Sequence, residues 1–211
     1  MKVKLFFFLT YILMGLYVII AGHKRSYSAV LCKFRKKIMN IFFLDKFPPK
    51  SAEYLCDKHV PKMLLESCQM LSTAVHQHKE NIPYDLPLYQ HHPVWKNVNN
   101  LYKEAYPNHP MTKWVSLNRG NFKWTLENAV FIGQEYYKRF NKYHKSRRII
   151  SLILQNKYMD CIPEGDLTEP PQCMPDEYRN KNYVTAYRDY YKGEKTFAKW
   201  EKGRSQPEWW Q

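Results

Sequence analysis

In the stretch "DKHVPKMLLE" (Asp57–Glu66), an imidazole, an amine and a carboxylate recur at intervals of three and four residues: His59, Lys62 and Glu66. At 100° per residue these three, with Thr73, fall within about 60° of arc on one side of a helix, and Gln69 adjoins them. A lysine withdrawn from water becomes a nucleophile, a glutamate beside it serves as acid or base, and a histidine shuttles protons near neutrality. His59, Lys62 and Glu66 are therefore the candidate catalytic residues. The plainer reading is a solvated helix edge, on which Lys62 and Glu66 form an i,i+4 pair worth about 0.2–0.5 kcal/mol.

Further along, cationic groups are interleaved with aromatic ones. Arg139, His144, Arg188 and Lys195 are the candidate phosphate-binding residues. Asp57, His109, Trp114, Asn121, Trp124 and Tyr191 are the candidate pocket wall. Guanidinium and ammonium groups set among indole and phenol rings suit phosphate neutralisation and base stacking. The net charge of +14 agrees with an anionic partner, although eight basic residues and no acid lie in residues 1–38, leaving +6 for the remainder.

Several chemistries are excluded. The chain has only seven glycines and no G-x-x-x-x-G-K-[ST], G-x-G-x-x-G or G-x-S-x-G. It lacks C-x-x-C and H-E-x-x-H, so the sequence names no metal site. His76, His78, His91 and His92 share a polar loop region and read as solvent-facing. Any cofactor stays unknown from the sequence.

The elements that must position these residues are mostly helical. Ser51 to about His76 has an apolar face of Cys56, Val60, Met63, Leu64, Ser67, Met70, Leu71, Ala74 and Val75. Pro61 interrupts it, so a kink or break is expected near Asp57–Val60. Pro93 and Pro110 each open a further helix. Asn121 is an expected N-cap, and Ser146 caps the helix after it. A last helix runs through "VTAYRDYYKGEKTFAKW", and the proline-rich stretch 157–182 is irregular. "NIFFLD" (Asn40–Asp45) reads as a buried strand. The expected fold is mainly α: a single helical domain over 39–211 with at most a small sheet from that strand, preceded by a hydrophobic N-terminal helix.

Residues 1–38 form a hydrophobic, basic leader. Leu5–Gly22 is uncharged and would span roughly 27 Å as a helix. Three readings are open: a single-pass transmembrane anchor with the body on the cytoplasmic side, a cleaved signal peptide, or an extension upstream of a natural start at Met39 with a soluble intracellular product. An odd number of cysteines without framework spacing, and no N-x-[ST] after the leader, argue against secretion.

Three blocks carry a resemblance: "MNIFFLDKFPPKSAEYLCDKHVPKMLLESCQMLSTA", "HPMTKWVSLNRGNFKWTLENA…EYYKRFNKYHKS" and "MPDEY…VTAYRDYYKGEKTFAKWEKGRSQPEWW". From Met39 to the C-terminus the chain resembles a family of short, functionally uncharacterised proteins of phages and large DNA viruses. Pro61 departs from that pattern, which has an aliphatic residue there. The resemblance implies a viral, intracellular protein and supplies no mechanism. The expectation is a protein acting on nucleic acid or a nucleotide through the Lys/Glu/His stripe. Its alternative is a membrane-anchored viral interaction protein, held by Leu5–Gly22, with no catalytic activity.

Overall fold

Prolines and capping side chains decide where the helices begin. Pro48 and Pro49 open α1 (Pro48–Tyr54), since a missing N–H costs nothing in a first turn. The chain then leaves helical geometry at Leu55 and resumes as α2 (His59–Gln77), with Pro61 in its first turn. The break expected around Asp57–Val60 is thus a separation into two helices. Pro110 opens α3 (Pro110–Leu117), where the His109 ring accepts from the Met111 N–H at 3.2 Å. Asn118, rather than the expected Asn121, caps α4 (Arg119–Phe140) by accepting from the Asn121 N–H at 2.9 Å. Then come α5 (Arg147–Gln155) and α6 (Tyr183–Glu194), the latter capped by Asn182. Ser146 precedes α5, but its side chain makes no capping bond and meets the Tyr102 hydroxyl instead, at 3.0 Å.

The structure is a computed structural model that describes residues 39–82 and 98–211. The leader, the hydrophobic N-terminal helix expected in it and the helix start at Pro93 lie outside those residues. Within 39–211, α2 packs on α4 and α3, and α1 packs on α4.

Among the described residues there is no strand, which corrects the expectation for Asn40–Asp45. The run is apolar and buried, but no second extended segment pairs with it. Its main chain is satisfied by side chains instead. The Ser51 hydroxyl donates to the Phe42 carbonyl (3.1 Å) and accepts from the Leu44 N–H (3.3 Å), while Arg188 Nε donates to the Leu44 carbonyl (2.8 Å). Each such bond is worth about 1 kcal/mol net, and leaving the buried group unpaired would cost more. Phe43 anchors the segment, stacked on Trp124 (4.2 Å between centroids) and edge-on to Trp114 (5.3 Å).

Gly120 shows how closely the irregular stretch 157–182 is held. A Cβ there would strike the Leu167 nitrogen and the Asp166 carbonyl carbon. The two chain segments are joined at that point by Arg119 N–H to Pro163 O (2.7 Å) and Gly120 N–H to Gly165 O (2.9 Å). The first turn of α4 is therefore fixed against a long loop, which in turn reaches the Asn40 segment.

Candidate active site

Two positions of α2 govern the site. Glu66 is buried, with its side chain 6% exposed, and its carboxylate accepts from the Asn40 N–H at 3.1 Å through Oε2. One turn earlier, Lys62 places Nζ 3.7 Å from Oε1 while its side chain stays 42% exposed. A carboxylate so far out of water requires donors, and among them here are the Asn40 main-chain nitrogen and an ammonium that leads out to solvent. The helix period that places Lys62 and Glu66 on one edge of α2 is the one read from the sequence.

The Asn40 side of the site is held by α6 and the loop before it. Asn40 Nδ2 donates to the Cys173 carbonyl (3.0 Å), and its Oδ1 accepts from the Ile41 N–H (2.9 Å) and the Tyr187 hydroxyl (3.4 Å). The one proton of the Tyr187 hydroxyl is shared between Asn40 Oδ1 and the Pro171 carbonyl, which is nearer at 2.7 Å. Neither Asn40 nor Tyr187 stands out in the sequence, because a main-chain nitrogen and a core tyrosine leave no compositional trace.

His59 sits one turn from Lys62 but does not do what its spacing suggests. Its ring stacks on Phe42 (5.1 Å), and Nδ1 lies 2.6 Å from the Tyr191 hydroxyl. That hydroxyl accepts from the Cys56 N–H at 3.1 Å, so its own proton points at His59 Nδ1, which is an acceptor. Burial, and then the Lys62 and Lys195 ammonium groups, push the imidazole down to about 3. His59 is thus neutral at physiological pH, and the proton shuttle expected of it is replaced by a fixed acceptor that ties α2 to α6.

Stability should therefore depend on pH through His59. The folded pKa lies below the unfolded value of about 6.5, so the unfolded chain binds the extra proton between the two values. The stabilisation from neutral His59 is complete above about pH 6.5 and is lost as pH falls from there toward the folded value. Thermal unfolding followed from neutral pH down to about pH 4 should show a decline that is shallower in His59→Gln. Identical slopes for the two proteins would remove this account.

The other candidate residues divide between site and scaffold. Lys195 lies over the Tyr190 ring (4.3 Å) and the Phe42 ring (5.7 Å), on the same aromatic platform that carries His59. Tyr191 is fully buried behind them. Trp114, Asn121 and Trp124 belong to the core. Trp114 Nε1 and Asn121 Nδ2 both donate to the Thr168 hydroxyl at 3.0 Å, and Trp124 Nε1 donates to the Lys46 carbonyl at 2.9 Å. His109 is a helix cap.

Arg188 is spent on the Leu44 carbonyl and on Asp45 (3.2 Å). Arg139 has no guanidinium surface to offer a phosphate: its side chain is wholly buried against Glu135 and Asp57. His144 lies on the connection between α4 and α5, its Nδ1 accepting from the Ser146 N–H at 3.1 Å, and burial lowers its pKa. Asp57 Oδ2 accepts from the Glu201 and Lys202 N–H groups at 2.7 and 3.1 Å. His76 Nε2 and His78 Nε2 lie 3.0 and 2.9 Å from the carbonyls of Tyr102 and Ser116. Among the described residues no group of three His, Cys, Asp or Glu side chains is arranged for a metal ion.

A class follows from comparison with known families: enzymes of DNA repair that cut the bond between base and sugar. More narrowly, the chain belongs to the pyrimidine dimer DNA glycosylase family, whose sequence profile matches residues 39–146, from the segment that touches Glu66 to the end of the α4–α5 connection. No curated protein and no solved structure matches it.

Family membership corrects two expectations. The chain belongs to a DNA-repair family and not to one of uncharacterised viral proteins; the expected nucleic-acid partner stands, with DNA as the kind that the family implies. The membrane-anchored placement is also set aside. No helix among the described residues is long and apolar enough to cross a bilayer, and Leu5–Gly22 lies outside them.

Proposed function

We propose that this protein cuts damaged pyrimidines from their sugars in DNA by amine attack, with Glu66 moving the protons. The observation that carries this reading is the buried Glu66 carboxylate, with a main-chain nitrogen at 3.1 Å and the Lys62 amine at 3.7 Å. In the step proposed, the amine lone pair bonds to C1′ of the damaged nucleotide. The C1′–N bond breaks, and its electron pair goes to the base, which takes up a proton from water and, in a dimer, stays joined to the neighbouring pyrimidine. The amine gives a proton to Glu66, which passes it to the ring oxygen as the sugar opens to an imine. Lys195, over the Phe42 and Tyr190 rings, is the group proposed to meet phosphate. Arg139 and Arg188 are left to the scaffold.

One observation favours a second source for the amine. The Asn40 main-chain nitrogen lies 3.1 Å from the Glu66 carboxylate. In the chain running on through residues 1–38 it is an amide and no nucleophile, so Lys62 is the amine that attacks. In a chain that opens at Met39 and loses that residue, the same atom is an α-amine. Its usual pKa of about 7.7–8.0 leaves far more of it unprotonated at neutral pH than a lysine near 10.4.

Borohydride added during turnover on duplex DNA bearing a pyrimidine dimer should reduce the imine and leave a covalent protein–DNA adduct. Peptide mapping of that adduct should place the DNA on Lys62, or on Asn40 in the chain that opens there. Cleavage of the glycosidic bond with no trapped adduct would overturn the covalent route.

A further inference from the structure

On the side of α2 away from Glu66, a groove of about 380 Å³ runs between α4 and α5. Leu64, which reaches its floor, is about 160° around α2 from Glu66, so the groove is a separate place on the molecule. Val130, Ile150 and Leu154 make the rest of its apolar surface, and no carboxylate lines it. At its rim Tyr137 and Tyr143 stack in parallel, with centroids 4.8 Å apart and planes 18° apart. The Arg147 guanidinium lies 4.2 Å over the Tyr143 ring. Despite this stacking, the two tyrosines remain 45% and 62% exposed.

The charge at the Tyr137–Tyr143–Arg147 end of the groove is basic, while Glu127, one turn before Val130 on α4, is an exposed acid toward the other end. Residues 136–159 contain no Asp or Glu. Lys138, Lys142, Lys145, Arg147, Arg148 and Lys157 are all exposed. The nearest acid along α4, Glu135, is buried and committed to Arg139 and Arg204. Exposed rings already held in a stack, with an arginine in the ladder and lysines along the rim, suit a chain of bases and phosphates. The apolar floor suits base faces better than the phosphate-lined exterior of a duplex.

We infer that the α4–α5 groove is a second nucleic-acid site, for an unpaired strand. It rests on the reading of DNA as the substrate. In it, bases extend the Tyr137–Tyr143–Arg147 stack, and Lys138, Lys142 and Lys145 neutralise the backbone. The imidazole of His144, kept neutral by burial, contributes shape rather than charge. An enzyme that opens a duplex at a lesion displaces bases, and a groove remote from the catalytic carboxylate can hold the strand beyond it.

The test uses fluorescence anisotropy of a labelled oligothymidylate with the full chain. Y137A/Y143A should weaken binding roughly ten- to a hundredfold, the range expected when base stacking on aromatics is lost. Y137F/Y143F should bind as the unaltered protein does. K142Q/K145Q/R147Q should weaken binding and flatten its salt dependence. Heparin, a polyanion without bases, should lose affinity with the charge variant but not with Y137A/Y143A.

Excision from a short duplex around a single lesion should be unchanged in the tyrosine variants, since neither ring touches Glu66 or Lys62. Unaltered oligothymidylate affinity in Y137A/Y143A, with unaltered thermal unfolding, would overturn the site. So would equal losses for heparin and the oligonucleotide in that variant. Loss of excision in Glu66→Gln with oligothymidylate binding intact would leave this site standing. Failure of excision in the unaltered protein would strike the catalytic reading alone.

Discussion

Glu66→Gln is expected to lower glycosidic-bond cleavage by about 10²–10⁴-fold, the usual contribution of a positioned acid or base, while leaving the fold intact. Glutamine has nearly the same shape as glutamate, and its amide oxygen can still accept from the Asn40 N–H that Glu66 Oε2 now receives at 3.1 Å. It can neither take a proton from an amine nor deliver one to the sugar oxygen. The ion pair with Lys62 is also lost, but at 3.7 Å and with that lysine 42% exposed it is worth no more than about 1 kcal/mol. Removing a negative charge from a site proposed to face DNA should leave affinity for a dimer-containing duplex unchanged or improved. The expected signature is a collapse of kcat with KM held or lowered. A Glu66→Gln variant that cuts the bond at the unaltered rate would take the carboxylate out of the chemistry. One that loses binding and turnover in step would make it a positioning group.

The part of this site that periodicity controls is legible in the sequence. Three- and four-residue spacing puts Lys62 and Glu66 on one edge of α2 whatever surrounds them, and Pro61 requires a break just upstream, where α1 and α2 separate. What no spacing rule carries is which atoms come to that edge from elsewhere. A nitrogen that donates to Glu66 belongs to the main chain of Asn40, 26 residues away, and reads as part of an apolar run. That run resembles a strand because buried residues in a row look the same whether a neighbouring strand or a serine and an arginine satisfy the main chain. Trp114 and Trp124 read as stacking platforms. Indoles serve equally as core, and the acceptors of their N–H groups, Thr168 and Lys46, are far away in sequence. Asn121 lies one turn from the true cap because Asn118 meets the same preference.

Arg139 reads from sequence as a phosphate ligand, and its surroundings predict something different: Arg139→Ala should destabilise the protein by roughly 3–5 kcal/mol, the cost of breaking a buried ion pair from one side. Its side chain is fully buried. Nε donates to Glu135 Oε2 at 3.0 Å. One terminal nitrogen donates to the Leu55 carbonyl (2.7 Å) and Asp57 Oδ1 (3.1 Å), and the other to the Glu53 carbonyl (2.8 Å). The acceptors other than Glu135 lie in α1 and in the break before α2, so one guanidinium stitches that break to α4.

Both carboxylates lead on to the C-terminal arm, Asp57 through the Glu201 and Lys202 N–H groups and Glu135 through Arg204. Burial pushes the Glu135 carboxyl up, but the Arg204 hydrogen bonds and the charges of Arg139 and Arg204 outweigh it and hold the group below its ordinary value. The stabilisation from Glu135 is therefore present above its unfolded pKa and lost as pH falls through the lower folded one.

Truncating Arg139 strands one buried and one half-buried carbonyl and half-strands two acids. Tm should fall by on the order of 10 °C for a domain of this size, and proteolysis should reach residues 195–211 before the helices. Lysine at this position should restore only part of the loss, because it cannot match a planar fork that serves four acceptors. DNA affinity measured well below the lowered Tm should change little. A variant that kept its Tm and lost DNA would return Arg139 to the phosphate-binding role its sequence setting suggests.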